Sequence, residues 1–144
     1  MSQVQVERAV NGLYYDKFGL WFGHLMEHIK EALKEAEEVI YRETPSLEEA
    51  EKIIEERVMK KLSKYQSIEY VEYHREEGAP WDCFMVGNAK VCRTDSYDSL
   101  TVAIQDGPEI EFEVYTEYVV VTEKDEERIA YFKINDVRIT GVMW

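Results

Sequence analysis

His24-Leu25-Met26-Glu27-His28 places two of the chain's three histidines four residues apart, with a carboxylate between them. Residues four apart on an α-helix share a face, and an imidazole pair at that spacing can chelate a transition metal. At about 100° per residue the same flank carries two further acids, so the ridge reads His24, His28, Glu31, Glu35. Two imidazoles and a carboxylate form a recurrent ligand set for zinc or iron, provided that one position stays open to water or substrate. His74, the third histidine, lies near the end of a candidate strand. It shares an alternating face with Ile68, Tyr70 and Glu72; if Ile68 meets the helices, His74 reaches the same seam as a ligand and Glu72 as a base.

The spacing His-x-x-Glu-His resembles, over these five residues, the motif of the inverzincin metallopeptidases. That resemblance implies His24 and His28 as zinc ligands and Glu27 as the base that activates a metal-bound water. A metal-dependent hydrolase of this kind would take His24, His28, His74 and Glu31 as ligands and Glu27 or Glu72 as base. The plainer reading makes His24 and His28 half-buried helix residues that pack by their rings and pair with nearby glutamates.

The elements that must position these groups follow from hydrophobic period. Phe18, Phe22, Leu25, Ile29, Leu33, Ala36 and Ile40 recur in steps of three and four, which predicts an amphipathic helix over about 13–41. Thr44-Pro45-Ser46 interrupts it, and Ser46-Leu47-Glu48-Glu49 has the capping-box pattern. A second helix then runs to about residue 63, burying Leu47, Ala50, Ile54, Val58 and Leu62, and the short connection makes the two helices antiparallel neighbours. After Tyr65 the period changes to two, with strands expected over 67–75, 81–86, 89–93, 100–105, 109–122, 128–134 and 137–143. Turns are expected at Asp106-Gly107-Pro108, at 123–127 and at Asn135-Asp136. The economical architecture is one α+β domain over 1–144: an N-terminal antiparallel helix pair (about 13–63) packed on one face of a C-terminal antiparallel meander of about five to seven strands (67–143).

Gly87-Asn88 is a two-residue hairpin signal. With those as loop residues, Val86 faces Ala89 and Cys83 faces Cys92 in the class of pair where side chains approach most closely. A cross-strand disulfide fits that register, while two reduced thiols are the common state in a mesophilic cytosol. Only 3 Asn and 4 Gln accompany abundant Glu, a composition that leans toward a thermophilic source, where intracellular disulfides occur.

Charge excludes some functions and suggests others. The 144 residues carry a formal charge of −13, with 10 basic against 13 acidic residues in 1–65 and 7 against 17 in 66–144. Nucleic-acid backbones are bound by Lys and Arg, so direct nucleic-acid binding is not expected. Glu109, Glu111, Glu113 and Glu117 alternate with Ile110, Phe112, Val114 and Tyr118 along one strand, which gives either a solvated sheet face or a docking row for a basic protein. Such a row can also imitate nucleic-acid phosphates and so inhibit a nucleic-acid-binding protein. Tyr14, Tyr15, Trp21 and Trp144 are candidates for a homodimer contact. No membrane-length apolar run, signal-peptide pattern, phosphate-binding glycine loop or nucleophile elbow occurs, so a cytoplasmic chain is expected, without a membrane partner and without the common cofactors. The leading expectation is a small, acidic, non-catalytic binding or regulatory protein acting through protein contacts. The alternatives are the zinc or iron hydrolase and the nucleic-acid mimic.

Overall fold

A computed structural model describes residues 24–65, 67–76 and 82–143. Two helices, α1 (Leu25–Glu43) and α2 (Leu47–Leu62), precede five strands: β1 (Ile68–His74), β2 (Asp82–Val86), β3 (Ala89–Ile104), β4 (Glu109–Glu123) and β5 (Glu126–Met143). The strands form one antiparallel sheet in the order β1-β3-β4-β5, with β2 paired to the first half of β3. The helix pair packs on one face, the α+β architecture expected from the change of period. The helical residues expected over 13–23 and the aromatic contact of Tyr14, Tyr15, Trp21 and Trp144 lie outside the described residues. None of the described helices is long and apolar enough to cross a membrane.

Each helix forms for legible reasons. Helix α1 is built of strong helix formers and buries Leu25, Ile29, Ala32, Leu33, Ala36 and Ile40 along one stripe. It stops at Thr44, whose left-handed φ of 45° lets its N–H reach the Ile40 carbonyl at 2.9 Å. Ser46 then caps α2 by accepting the Glu49 N–H at 3.2 Å. Between the helices, Lys61 Nζ of α2 reaches Glu35 Oε1 at 2.9 Å and Glu31 Oε2 at 3.4 Å on α1.

Two expected breaks are not breaks. Residues 89–93 and 100–105 belong to one strand, because the polar stretch between them alternates faces and its inward members, Thr94, Ser96 and Asp98, are buried. Residues 128–134 and 137–143 likewise form one strand through Asn135-Asp136. There the pairing steps from Tyr115↔Asp136 to Thr116↔Ile134, leaving Asn135 as the extra residue of a β-bulge. Ala130 and Thr140 are the extra residues of two further bulges on β5, five residues to either side. The inward positions therefore run Ile129, Phe132, Ile134, Val137, Ile139, Val142, alternating steps of three and two. Asn135 donates from Nδ2 to Glu117 Oε1 at 2.8 Å, which fixes the central bulge.

Deleting Asn135 removes the central bulge and shortens the step from Ile134 to Val137 from three residues to two, so strict alternation keeps Val137 and Ile139 inward while the local bend and the contact with Glu117 are lost. Urea unfolding is expected to show a cooperative transition for the deletion, with a loss of about 1 to 3 kcal/mol from the straightened strand. Asn135→Ala, which keeps the register and loses one hydrogen bond, is expected to cost only about 1 kcal/mol.

Candidate functional site

On the helix ridge His24, Glu27, Glu31 and Glu35 are already paired. His24 precedes α1, and its Nδ1 lies 3.0 Å from Glu27 Oε2, with both side chains exposed. His28 sits 6.4 Å from His24, centroid to centroid, and stacks on Tyr65 at 4.2 Å. Glu31 and Glu35 hold the Lys61 ammonium, so a cation from the protein itself answers the charge that a metal would have answered. Burial lowers the His28 pKa below its ordinary 6.5, and the negative Glu31 only partly opposes this. His28 Nδ1 is buried without a hydrogen-bond partner among the described residues, consistent with a neutral ring packed by its face.

His74 and Glu72 do not join this ridge. A bulge at Glu69, where pairing steps from Ile68↔Ile104 to Tyr70↔Ala103, reverses the phase of β1. Ile68 therefore faces the helices, whereas Tyr70, Glu72 and His74 lie on the opposite side of the sheet. The sheet separates His74 and Glu72 from His24, Glu27 and His28, and His74 Nε2 instead neighbours Glu72 Oε2 at 3.4 Å. Among the described residues no three His, Cys, Asp or Glu side chains gather as metal ligands would. Of the residues expected in a zinc or iron centre, the fold thus brings His24, His28 and Glu31 to one ridge with Glu27, and sets His74 and Glu72 across the sheet from them.

A polar cluster that the sequence reading passed over lies on the inner face of the sheet. Asp98 is 1% exposed, and its Oδ2 accepts from the Tyr73 hydroxyl and from Thr116 Oγ1 at 3.1 Å. Its Oδ1 faces the Glu76 N–H at 3.2 Å and Ser96 Oγ at 2.5 Å. Ser96 Oγ also lies 3.0 Å from the Glu76 carbonyl, yet a hydroxyl has one proton to give. Both serine contacts are satisfied when Asp98 is protonated: the acid donates to Ser96, and Ser96 donates to Glu76. Burial raises the Asp98 pKa, and the hydrogen bonds with Ser96, Tyr73, Thr116 and the Glu76 backbone offset this only in part. The cluster ties β1, β3 and β4 to the segment after β1, and its closed surroundings suit positioning rather than turnover.

The outer face, bare of any described element, is graded along its length. Starting at the β2–β3 hairpin, successive cross-strand rows are Phe84, Val91 and Val121, then Arg93, Val119 and Tyr131. Next come Asp95, Glu117 and Lys133, then Tyr97, Tyr115 and Asp136. The Tyr97 and Tyr115 rings stack at 4.8 Å, with Tyr97 54% exposed. Beyond them lie the acidic rows with Glu113, Glu111 and Glu109, bordered by Glu72. The four glutamates of the expected row do share this face, but they are not equivalent. Glu117 pairs with Arg93 at 3.0 Å, Glu113 with Arg138 at 3.3 Å, and Glu109 accepts the Tyr70 hydroxyl. That bond and the Glu109 charge push the Tyr70 phenol up to about 12. Cys83 and Cys92 stand opposite one another on the inner side of the hairpin, joined as a disulfide with Cα atoms 4.2 Å apart.

The two shifted groups give opposite pH signatures. Asp98, raised in the fold, contributes stability that is fully present below its unfolded value of about 3.8 and is lost as pH rises through its folded value. His28, lowered in the fold, contributes stability that is present above about 6.5 and is lost as pH falls through its folded value. Thermal melts between pH 3 and 8 are expected to show Asp98→Asn removing the first dependence and His28→Gln the second. Asp98→Ala is expected to cost about 2 to 4 kcal/mol at the acidic end of that range, because it strands three buried hydroxyls, and less as pH rises. In comparison with known proteins, the chain matches no family model, no curated protein and no solved structure. Its own surface chemistry is the ground for a functional reading.

Proposed function

We propose that the protein is a non-catalytic binding module whose open sheet face docks a basic protein partner. The observation that carries this reading is the stacked Tyr97–Tyr115 pair, with Tyr97 54% exposed, between a charged row and the acidic rows of the same face. Tyrosines of this kind supply large contact area at small conformational cost, and surrounding polar groups keep water from the contact. The ion pairs Arg93–Glu117 and Arg138–Glu113 hold their side chains across strands, and Glu111 stands between them and Glu109 on the same face toward an approaching cation. With a net charge of −13, long-range attraction speeds the approach of a basic partner and slows that of an acidic one.

The groove between α1 and β5, about 390 Å³ and lined by Lys30, Leu33, Lys34 and Ile134, is a weaker candidate. Glu37, on its wall, is occupied in accepting the Ile134 N–H at 3.1 Å, and the groove is open to solvent. Among the described residues the hydrolase reading has no gathered ligand set behind it. As a nucleic-acid mimic, the glutamate row is weakened by the arginines that neutralise two of its members. A cytoplasmic location belongs to the proposal, and with it a cytosol that tolerates the Cys83–Cys92 bridge.

A photoreactive phenylalanine placed at Tyr97, and as control at Glu38 on the solvent side of α1, tests the reading in the source cells. Adducts are expected from the sheet position alone, with a partner of basic composition. Calorimetric titration of that purified partner should then show Tyr97→Ala and Tyr115→Ala each weakening binding about tenfold or more, equivalent to about 1.4 kcal/mol. Affinity should fall as salt is raised. Adducts from the helix position only, or affinity untouched by both alanines, would overturn it.

A further inference from the structure

The sheet has three lateral edges, and two of them are closed. On β1 the Glu55 carboxylate of α2 accepts from the Tyr73 backbone, and on β5 the Glu37 carboxylate of α1 accepts from the Ile134 N–H. Each helix thus lays an acid across the hydrogen-bonding row of the strand beneath it, one of the ways in which proteins blunt an edge. β2 differs. Among the described residues it pairs with β3 alone, all five of its residues are exposed, and no side chain covers its outer edge.

Its side chains make that edge adhesive. Phe84, Met85 and Val86 are consecutive and 54%, 63% and 59% exposed, three of the largest exposed apolar groups in the described chain. The strand contains no lysine or proline to deter pairing, and Asp82 is its one charge. Asp82, Lys90 and Arg93 leave the hairpin slightly positive on a chain of net −13. Hairpin register then fixes which groups point outward. Around the Gly87-Asn88 turn, Val86–Ala89 is a hydrogen-bonded pair, so Phe84–Val91 is another, and the N–H and C=O groups of Cys83 and Met85 face the free edge.

We infer that β2 is a self-association edge, on which a second copy of this chain adds its own β2, antiparallel, about a two-fold axis through Phe84. In that register Cys83 of each copy exchanges backbone hydrogen bonds with Met85 of the other, about four bonds in all, and the two Phe84 rings meet as a non-hydrogen-bonded pair, the closest kind. The fit is self-complementary, as a two-fold contact requires. Each Asp82 lies opposite a Val86, so the like charges stand at opposite ends of the contact. The outer row of Phe84, Val91 and Val121 continues across the axis into its mate, giving one apolar platform where each copy alone exposes a fragment. The Cys83–Cys92 bridge holds β2 on β3, so that the free edge is presented in one register.

Salt sensitivity separates this contact from the docking of a basic partner. Two bodies of charge −13 repel, so dimerisation strengthens as salt rises, whereas capture of a basic protein weakens. Sedimentation velocity of the full chain over a hundredfold concentration range, at low and at high salt, is expected to show a monomer–dimer equilibrium that shifts toward dimer in high salt. Met85→Pro removes an outward N–H while leaving the β2–β3 bonds in place, and Phe84→Lys sets two cations against each other at the axis. Each should raise the dimer dissociation constant at least tenfold, with the circular-dichroism spectrum unchanged; should Met85→Pro misfold, Phe84→Lys alone decides. Tyr97→Ala, a substitution of the docking face, should leave the dimer intact. A chain that stays monomeric at all concentrations and salts, or a dimer indifferent to Phe84→Lys, overturns the inference.

Discussion

A strand of eighteen residues can keep one face on a pair of short helices only by bending, and β5 bends at Ala130, Asn135 and Thr140. Each extra residue increases the local twist, and the five-residue spacing returns the core-facing side chains to the same side after every bulge. Six inward positions, from Ile129 to Val142, thereby stay against the core along the whole strand. The neighbouring strand β4 keeps strict alternation, with Ile110, Phe112, Val114, Thr116, Tyr118 and Val120 inward. Curvature is thus set by the edge strand, and it brings Glu37 over Ile134 and the Pro45 carbonyl to the Ile129 N–H at 2.8 Å.

Where the curved inner face runs out of apolar side chains, the chain changes from hydrophobic contact to hydrogen bonding. Thr94, Ser96, Asp98 and Thr116 continue the inward positions occupied further along by Leu100, Val102, Ile110 and Phe112. A buried carboxyl there is tolerable only because Tyr73, Thr116 and the Glu76 N–H donate to it and because it can keep its proton and give it to Ser96. The electrostatic problem of a chain with 30 acidic residues is met in the same local manner. Lys61 reaches two glutamates between the helices, and Arg93 and Arg138 reach Glu117 and Glu113 across the sheet.

What could be read from the sequence was whatever obeyed a simple period. The helix stripes, the serine cap of α2, the hairpin at Gly87-Asn88 and the Cys83↔Cys92 register all follow from local chemistry and strict counting. Bulges break counting by one residue and carry no composition of their own. Glu69 reversed the side on which His74 and Glu72 were expected, and Asn135 looked like a turn because asparagine and aspartate favour turns. Asp98 was hidden for a related reason: a Thr-Asp-Ser-Tyr-Asp-Ser run reads as loop unless its even positions are seen to share a face with Leu100. The Lys61 pairing with Glu31 and Glu35 spans two helices and rests on packing that no spacing rule reports.

The histidine motif shows why spacing alone misleads in an acidic helical chain. A helix rich in glutamate places carboxylates three or four residues from almost any histidine, so a ligand-like ridge arises without selection for a metal. Deciding between the readings requires the third dimension, namely what faces the ridge from the next element. Here α2 presents an ammonium that holds Glu31 and Glu35, and Tyr65 packs its ring on the face of His28. The outer face differs in this respect, since no described element faces Tyr97, Tyr115 or the edge of β2. Chemistry that the fold leaves unanswered, rather than chemistry that the sequence merely contains, is what points to a partner.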